Sequence, residues 1–258
     1  MPLSAAAIAE AGRLLAAARS DGVSLQILPA ACRPATQKEA EAIQRATFAT
    51  LGHTIGGWKL GRAGGLPFAA PLPLATIVQG PATLPPMPGG ARVELELALR
   101  LRRPVPLAEL SALDLENLPG VADLVPLVEI VRSRWAPDAA VGPIDRIADC
   151  ISNQFAAIGA PLGPWQLSMV ETPAARLCFD GREFAVQQGP HPAAPIEELL
   201  QAWRMRCQAL GHAPRAGEVV TLGTLTGILP LPPPGTVIRG VVLGQGEILC
   251  RTASIDGA

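Results

Sequence analysis

Aromatic side chains make up only 3% of this 258-residue chain, and its basic residues are scattered. That excludes a stacking platform for single-stranded nucleic acid. The net charge is −1, so the chain offers no long-range field to nucleic acid or anionic membranes. No apolar run approaches the roughly 20 residues that a membrane helix requires. The opening Met-Pro-Leu-Ser-Ala-Ala-Ala-Ile-Ala-Glu has no basic stretch and meets Glu10 early, which reads as a helix and not as a signal peptide. Five cysteines (Cys32, Cys150, Cys178, Cys207, Cys250) are odd in number and widely spread, with no Cys-x-x-Cys. This argues against a zinc site or a disulfide framework, and for buried apolar thiols in a reducing cytoplasm. A Gly-x-Ser-x-Gly elbow, a P-loop and a dinucleotide fingerprint are all missing, which weakens serine hydrolase, nucleotide-binding and dehydrogenase readings. His53, His191 and His212 have no ligand spacing and read as surface or loop residues.

What is present is apolar and finely punctuated. Hydrophobic residues make up 49% of the chain, and 27 prolines and 26 glycines separate short runs. The length suits one large domain, or a core with a small appendage. Residues 4–19 read as a helix capped by Ser4, and Thr36-Gln37-Lys38-Glu39 is a capping box opening a second helix that Gly52 ends. Strands are expected at 55–61, 93–101 and 124–133, and near 218–223, 236–242 and 247–252, with a hairpin around Asp180-Gly181. Residues 195–210 form an amphipathic helix. The fold class is therefore α+β with a β-rich core. The division drawn is a helical N-terminal region over 1–70 and a β-rich metal-binding core over 71–258.

The chemistry sits in the strands. Glu94 and Glu96 are two apart in Val93-Glu94-Leu95-Glu96-Leu97, so they share a face. Either that face is exposed and the glutamates guard an edge, or it is buried and the charges need a cation. Glu129 favours the second reading, because Pro126-Leu127-Val128-Glu129-Ile130-Val131 is apolar on both sides. Three carboxylates suggest an oxygen-ligand site for Mg²⁺ or Mn²⁺. Lys59 lies in the glycine-flanked Gly56-Gly57-Trp58-Lys59-Leu60-Gly61, which is either a surface lysine or a proton carrier beside the metal. The turn Gly223-Thr224-Leu225-Thr226-Gly227 is either an ordinary tight turn or an anion cradle.

Taken in order, Gly57-Trp58-Lys59-Leu60-Gly61, Glu94-x-Glu96, Glu129-Ile130-Val131-Arg132-Ser133-Arg134, Asn153 and the 223–227 turn resemble the fumarylacetoacetate hydrolase superfamily. The closest likeness is to its 2-keto-4-pentenoate hydratase and 4-oxalocrotonate decarboxylase branch, from about residue 36 onward. The resemblance implies a mixed β-roll, barrel-like core with a small helical N-terminal region, often oligomeric. It implies Mg²⁺ or Mn²⁺ on Glu94, Glu96 and Glu129, Lys59 as the proton carrier, and Arg62, Asn153, Thr224 and Thr226 around the substrate. The metal would chelate a 2-oxo acid and stabilise charge at its 2-oxo oxygen. Three departures stand out. Leu66-Pro67-Phe68-Ala69-Ala70-Pro71 has no acid where the branch has one; Arg132 replaces an aspartate; Leu95 replaces a proline.

The leading expectation is a metal-dependent hydratase of a 2-hydroxydienoate. A 2-oxo-acid decarboxylase and an acylpyruvate hydrolase are the alternatives within the superfamily. A catalytically degenerate partner subunit is the alternative of another class. The expected partners are a small 2-oxo acid and further subunits, as a homo-oligomer or with a related lyase, with no nucleic acid and no membrane. Residues 62–72 and 132–143 are expected to line the pocket entrance.

Overall fold

The computed structural model describes residues 2–253. Helix α1 (Ala5–Asp21) starts at Ser4, whose hydroxyl accepts the Ala7 N–H, and stops at Gly22 in the left-handed conformation. Helix α2 (Gln37–Leu51) has the full capping box, with Thr36 and Glu39 bonding each other's backbone N–H. The short α3 (Leu107–Leu110), α4 (Pro143–Ala148) and α5 (Leu167–Glu171) and the longer α6 (Ile196–Leu210) complete the helices of four residues or more. None is long and apolar enough to cross a membrane.

The strands are β1 (Ile55–Ala63), β2 (Leu66–Pro73), β3 (Ile77–Gln79), β4 (Ala82–Thr83), β5 (Arg92–Leu101), β6 (Ala122–Val131) and β7 (Asn153–Ile158). After them come β8 (Ala175–Phe179), β9 (Arg182–Gln187), β10 (Val219–Thr224), β11 (Leu229–Pro230), β12 (Val237–Val242) and β13 (Gly246–Arg251). The larger sheet runs β2-β1-β10-β5-β6-β7-β3, with β11 also on β5. It is mixed, because β1–β10 and β3–β7 are parallel. It curls into a half-barrel of the expected type. The smaller sheet runs β4-β13-β12-β8-β9. The last helical residue of the N-terminal region is Leu51, and the first seventy residues also contain β1 and much of β2, both strands of the larger sheet.

Alternation along β5 sorts its side chains. Val93, Leu95, Leu97 and Leu99 join the main core with Leu177, Ile238 and Ile248 of the smaller sheet and Leu199 and Trp203 of α6. Each such buried side chain contributes about 1.5–3 kcal/mol. On the opposite face Ala98 packs with Val125, Leu127, Ala156, Ile158 and Val219. Helices α1 and α2 close over Phe68, Ala70 and Trp135, on the face that also holds Lys59. The functional side chains occupy this second face.

Candidate metal centre

Register brings the carboxylates together. Glu94 is directly opposite Glu129 across the β5–β6 ladder, and Glu96 is opposite Leu127. Their side-chain oxygens lie within 4.8 Å of one another. Lys59 reaches in from β1, with β10 lying between β1 and β5. Its Nζ donates to Glu94 Oε1 at 2.6 Å. It also lies 2.9 Å from Glu129 Oε2, but without hydrogen-bond alignment, so both Glu129 oxygens remain unpartnered, as does Glu96 Oε1. All four side chains are buried, Glu96 and Glu129 completely.

The turn after β10 completes the cluster. Pairing of β10 with β5 shifts register between Thr221 and Thr224, and the Gly223 N–H donates to Glu96 Oε2 at 3.2 Å. Gly223 has φ +94°, and a Cβ there would lie 2.9 Å from the Ala193 methyl. Both facts call for glycine.

Electrostatics at this site are unbalanced. Three carboxylates face one ammonium, and with all three ionised two negative charges would be left out of water. Burial, then Glu94 and Glu129, push Glu96 well above the ordinary carboxylate range. Burial raises Glu129 as well, with Lys59 opposing. Burial alone would lower Lys59, but Glu129, Glu94 and Glu96 together outweigh it and raise its pKa. Orphaned buried oxygens, an all-carboxylate donor set and a residual charge of two fit a hard divalent cation such as Mg²⁺ or Mn²⁺.

The cluster forms the floor of a cavity of about 640 Å³. Lys59, Glu94 and Glu96 line it, and Arg62, Arg92, Arg132, Arg146 and Thr224 form part of its wall. Segments 62–72 and 132–143 both contribute, through Arg62 and Phe68 and through Ser133, Trp135 and Val141. Sequence reasoning missed several other contributors, among them Ser24, Gly89-Gly90, Arg92, Arg146, Ile151-Ser152 and Pro192-Ala193, none of which belongs to a motif.

The remaining expected site residues divide. Arg62 borders the cavity while ion-paired to Glu198 at 2.8 Å. The Thr224 hydroxyl donates to the Gly227 carbonyl. Thr226 Oγ1 accepts the Leu95 N–H at 3.2 Å and does not line the cavity. Asn153 is buried away from it: Oδ1 accepts from Arg19 at 2.9 Å and Nδ2 donates to the Pro71 carbonyl at 2.8 Å. All three histidines lie outside helices and strands, as expected, but His191 is not at the surface. His191 is 2% exposed, its Nδ1 accepting the Ala193 N–H at 3.1 Å, and burial lowers its pKa to about 4. His212 is half-buried against Trp58 and bonds Glu218 at 3.0 Å. A lone histidine gives no sign in sequence of how deeply it is buried.

No family model and no curated protein matches this chain. Among solved structures, 4-oxalocrotonate decarboxylase from Pseudomonas putida G7, complexed with magnesium and adipate, aligns with a TM-score of 0.75 at 18% identity, over 98% of this chain and 99% of that one. The same enzyme complexed with calcium and acetate gives 0.73 at 19% identity over 98% and 99%. The 2-hydroxyhepta-2,4-diene-1,7-dioate isomerase from Mycobacterium marinum gives 0.50 at 14% identity over 79% and 77%. The chain thus has the fold of the fumarylacetoacetate hydrolase superfamily, helical N-terminal region included in the full-length matches.

Proposed function

We propose that this chain is a divalent-metal-dependent enzyme acting on a small 2-oxo acid, with decarboxylation as the leading reaction. The observation that supports it most is the buried convergence of Glu94, Glu96 and Glu129 beneath an arginine-walled cavity, with Lys59 in contact. The full-length likeness to a decarboxylase solved with magnesium and adipate supports decarboxylation ahead of the hydration that the sequence put first.

Glu94, Glu96 and Glu129 would hold Mg²⁺ or Mn²⁺, which as a Lewis acid draws electron density from the 2-oxo group of a chelated substrate. Arg62 and Thr224 on the wall orient the substrate carboxylate. In decarboxylation the C–CO₂ bond breaks, and its electron pair moves along the conjugated chain toward the 2-oxo oxygen. Lys59 Nζ then delivers the proton that replaces CO₂ on carbon. Lys59 is freed for this to the extent that another cation takes its carboxylate partners, and its pKa then falls. One proton donor suffices. Hydration and acylpyruvate hydrolysis also need an activated water, and among the described residues the cavity wall has no carboxylate besides Glu94 and Glu96. The acid-free segment 66–71 lies wholly in β2. That lack also favours the second reading, a non-catalytic subunit partnering a related lyase. A homo-oligomeric, cytoplasmic protein remains part of the proposal, in keeping with five free cysteines.

The test offers 2-oxo-3-enedioates and 2-hydroxydienoates to the protein with Mg²⁺, following CO₂ release and ultraviolet absorbance. CO₂ from the enedioate supports the decarboxylase. Absorbance loss from the dienoate without CO₂ returns the hydratase to first place. Silence on both supports the non-catalytic subunit.

A further inference from the structure

Arg132 is the one wall arginine that is both deeply buried and free of a carboxylate. It is 5% exposed and lines the cavity. Its Nη2 donates to the Gly22 carbonyl, and Nε reaches the Gly89 carbonyl at 3.4 Å. Nη1 is buried with no partner at all. Among the described residues no carboxylate lies within ion-pair distance of it, whereas Arg62 pairs with Glu198 and Arg92 and Arg146 are exposed to solvent. Burial, and then the neighbouring Arg134, lower the pKa of Arg132, with Asp149 opposing from beyond ion-pair distance. A buried guanidinium held only by neutral carbonyls, with Nη1 left unpartnered, is costly until an anion meets it. Arg132 follows Glu129 by three residues at the end of β6, about 10 Å along the chain. That separation suits the far end of a short substrate whose 2-oxo acid end lies over the carboxylates.

We propose that Arg132 is a specificity-determining residue that recognises a second anionic group on the substrate, so that the site selects 2-oxo dicarboxylates over 2-oxo monocarboxylates of equal length. This rests on the metal-site reading above. Guanidinium and carboxylate match as a bidentate, charge-assisted pair. In the decarboxylation proposed above this second group is the carboxylate that leaves as CO₂, so its contact with Arg132 weakens as the bond breaks, and binding of non-cleavable probes reads the contact without that loss.

The experiment is calorimetric binding of matched non-cleavable probes to the Mg²⁺-loaded protein: 2-oxoadipate against 2-oxohexanoate, and 2-oxoglutarate against 2-oxopentanoate. The wild type is expected to favour at least one dicarboxylate by about tenfold or more. Arg132→Gln should abolish that ratio while leaving the monocarboxylate affinities unchanged, and Arg132→Lys should restore part of it. Circular dichroism confirms that each variant is folded; if Arg132→Gln is not, Arg132→Lys carries the test, with a reduced ratio expected. Equal binding of the two probe classes by the wild type overturns the proposal, as does a ratio that survives both substitutions. An equal loss for both classes in Arg132→Gln also overturns it, since the charge then acts on the site as a whole. If no 2-oxo acid binds in the presence of Mg²⁺, the metal-site reading falls and takes this proposal with it. The first three outcomes leave that reading intact.

Discussion

Two charged clusters are buried, one on strands β1, β5 and β6 and the other in the segment between β6 and β7, and they are built to opposite rules. Around Arg134, which is 0% exposed, everything is matched. Its Nε bonds Asp149 Oδ1 at 2.5 Å, and its backbone N–H donates to Asp149 Oδ2 at 3.0 Å. The rest of the guanidinium donates to the carbonyls of Arg132, Asp149 and Asn153. One cation meets one anion, and the surplus N–H groups hold backbone. That includes the turn Cys150-Ile151-Ser152, where three successive non-glycine residues have positive φ (51°, 47° and 65°). Such residues cost on the order of 1 kcal/mol or more each unless their surroundings fix them, and Ile151 and Ser152 form cavity wall. At Lys59 the count fails: three carboxylates, one ammonium, and three oxygen atoms without a hydrogen bond. A closed cluster maintains shape. An open one fits a cation from outside, and its imbalance is the observation on which the proposed function rests.

Substitutions sharpen the contrast, the strongest first. Glu96→Gln or Glu94→Gln should weaken Mg²⁺ or Mn²⁺ binding by at least about a hundredfold, since loss of even an outer-shell partner costs about 10–100-fold. Turnover should vanish, while the metal-free fold of Glu96→Gln keeps its stability, because burial and its neighbours already favour the neutral form of Glu96; calorimetry and urea unfolding read the two effects separately. Lys59→Met should keep metal binding but slow proton exchange at C3 of a bound 2-oxo acid by about 10²–10⁴-fold, followed by NMR in D₂O. Unchanged exchange would remove Lys59 from the chemistry. Arg134→Met should behave in the opposite way to the glutamate variants, losing about 3–5 kcal/mol of stability by stranding Asp149. If it unfolds no more easily than wild type, the distinction between the clusters is broken.

The smallest effect is the pH dependence. Glu129 is raised by burial from 4.5 to about 7 in the folded chain. The folded state therefore holds a proton that the unfolded state has released, so metal-free stability falls as pH rises from about 4.5 toward 7. Glu129→Gln should flatten that fall relative to wild type, and Mg²⁺ should offset it. A wild type that gains as much stability as the variant over this range would contradict the burial of an uncompensated carboxylate.

Much of this site was legible because it depends on strand parity and local signals. Glu94-x-Glu96 fixes a shared face from spacing alone, and Glu129 in an apolar run has no solvent side to occupy. Thr36 and Glu39 announce their helix within four residues. The rest depends on partners far apart in the chain. Strand β2 was read only as an acid-free stretch because Pro67, Pro71 and Pro73 argue against a strand; the prolines are tolerated because β2 is the sheet's edge. Strand β7 follows three left-handed residues that no sequence pattern announces. Asn153 was expected at the substrate, but its amide joins Arg19 to Pro71, residues 134 and 82 positions away. Arg132 was visible as a charge reversal, yet its missing partner shows only once Gly22 and Gly89 are beside it.

The most direct test is anomalous diffraction from crystals of the protein soaked in Mn²⁺. The account predicts one strong Mn²⁺ peak bound by carboxylate oxygens of Glu94, Glu96 and Glu129, with Lys59 Nζ displaced from at least one of its two present partners. A map with no peak at that position, and Lys59 still paired to Glu94 and Glu129 at saturating Mn²⁺, would contradict it.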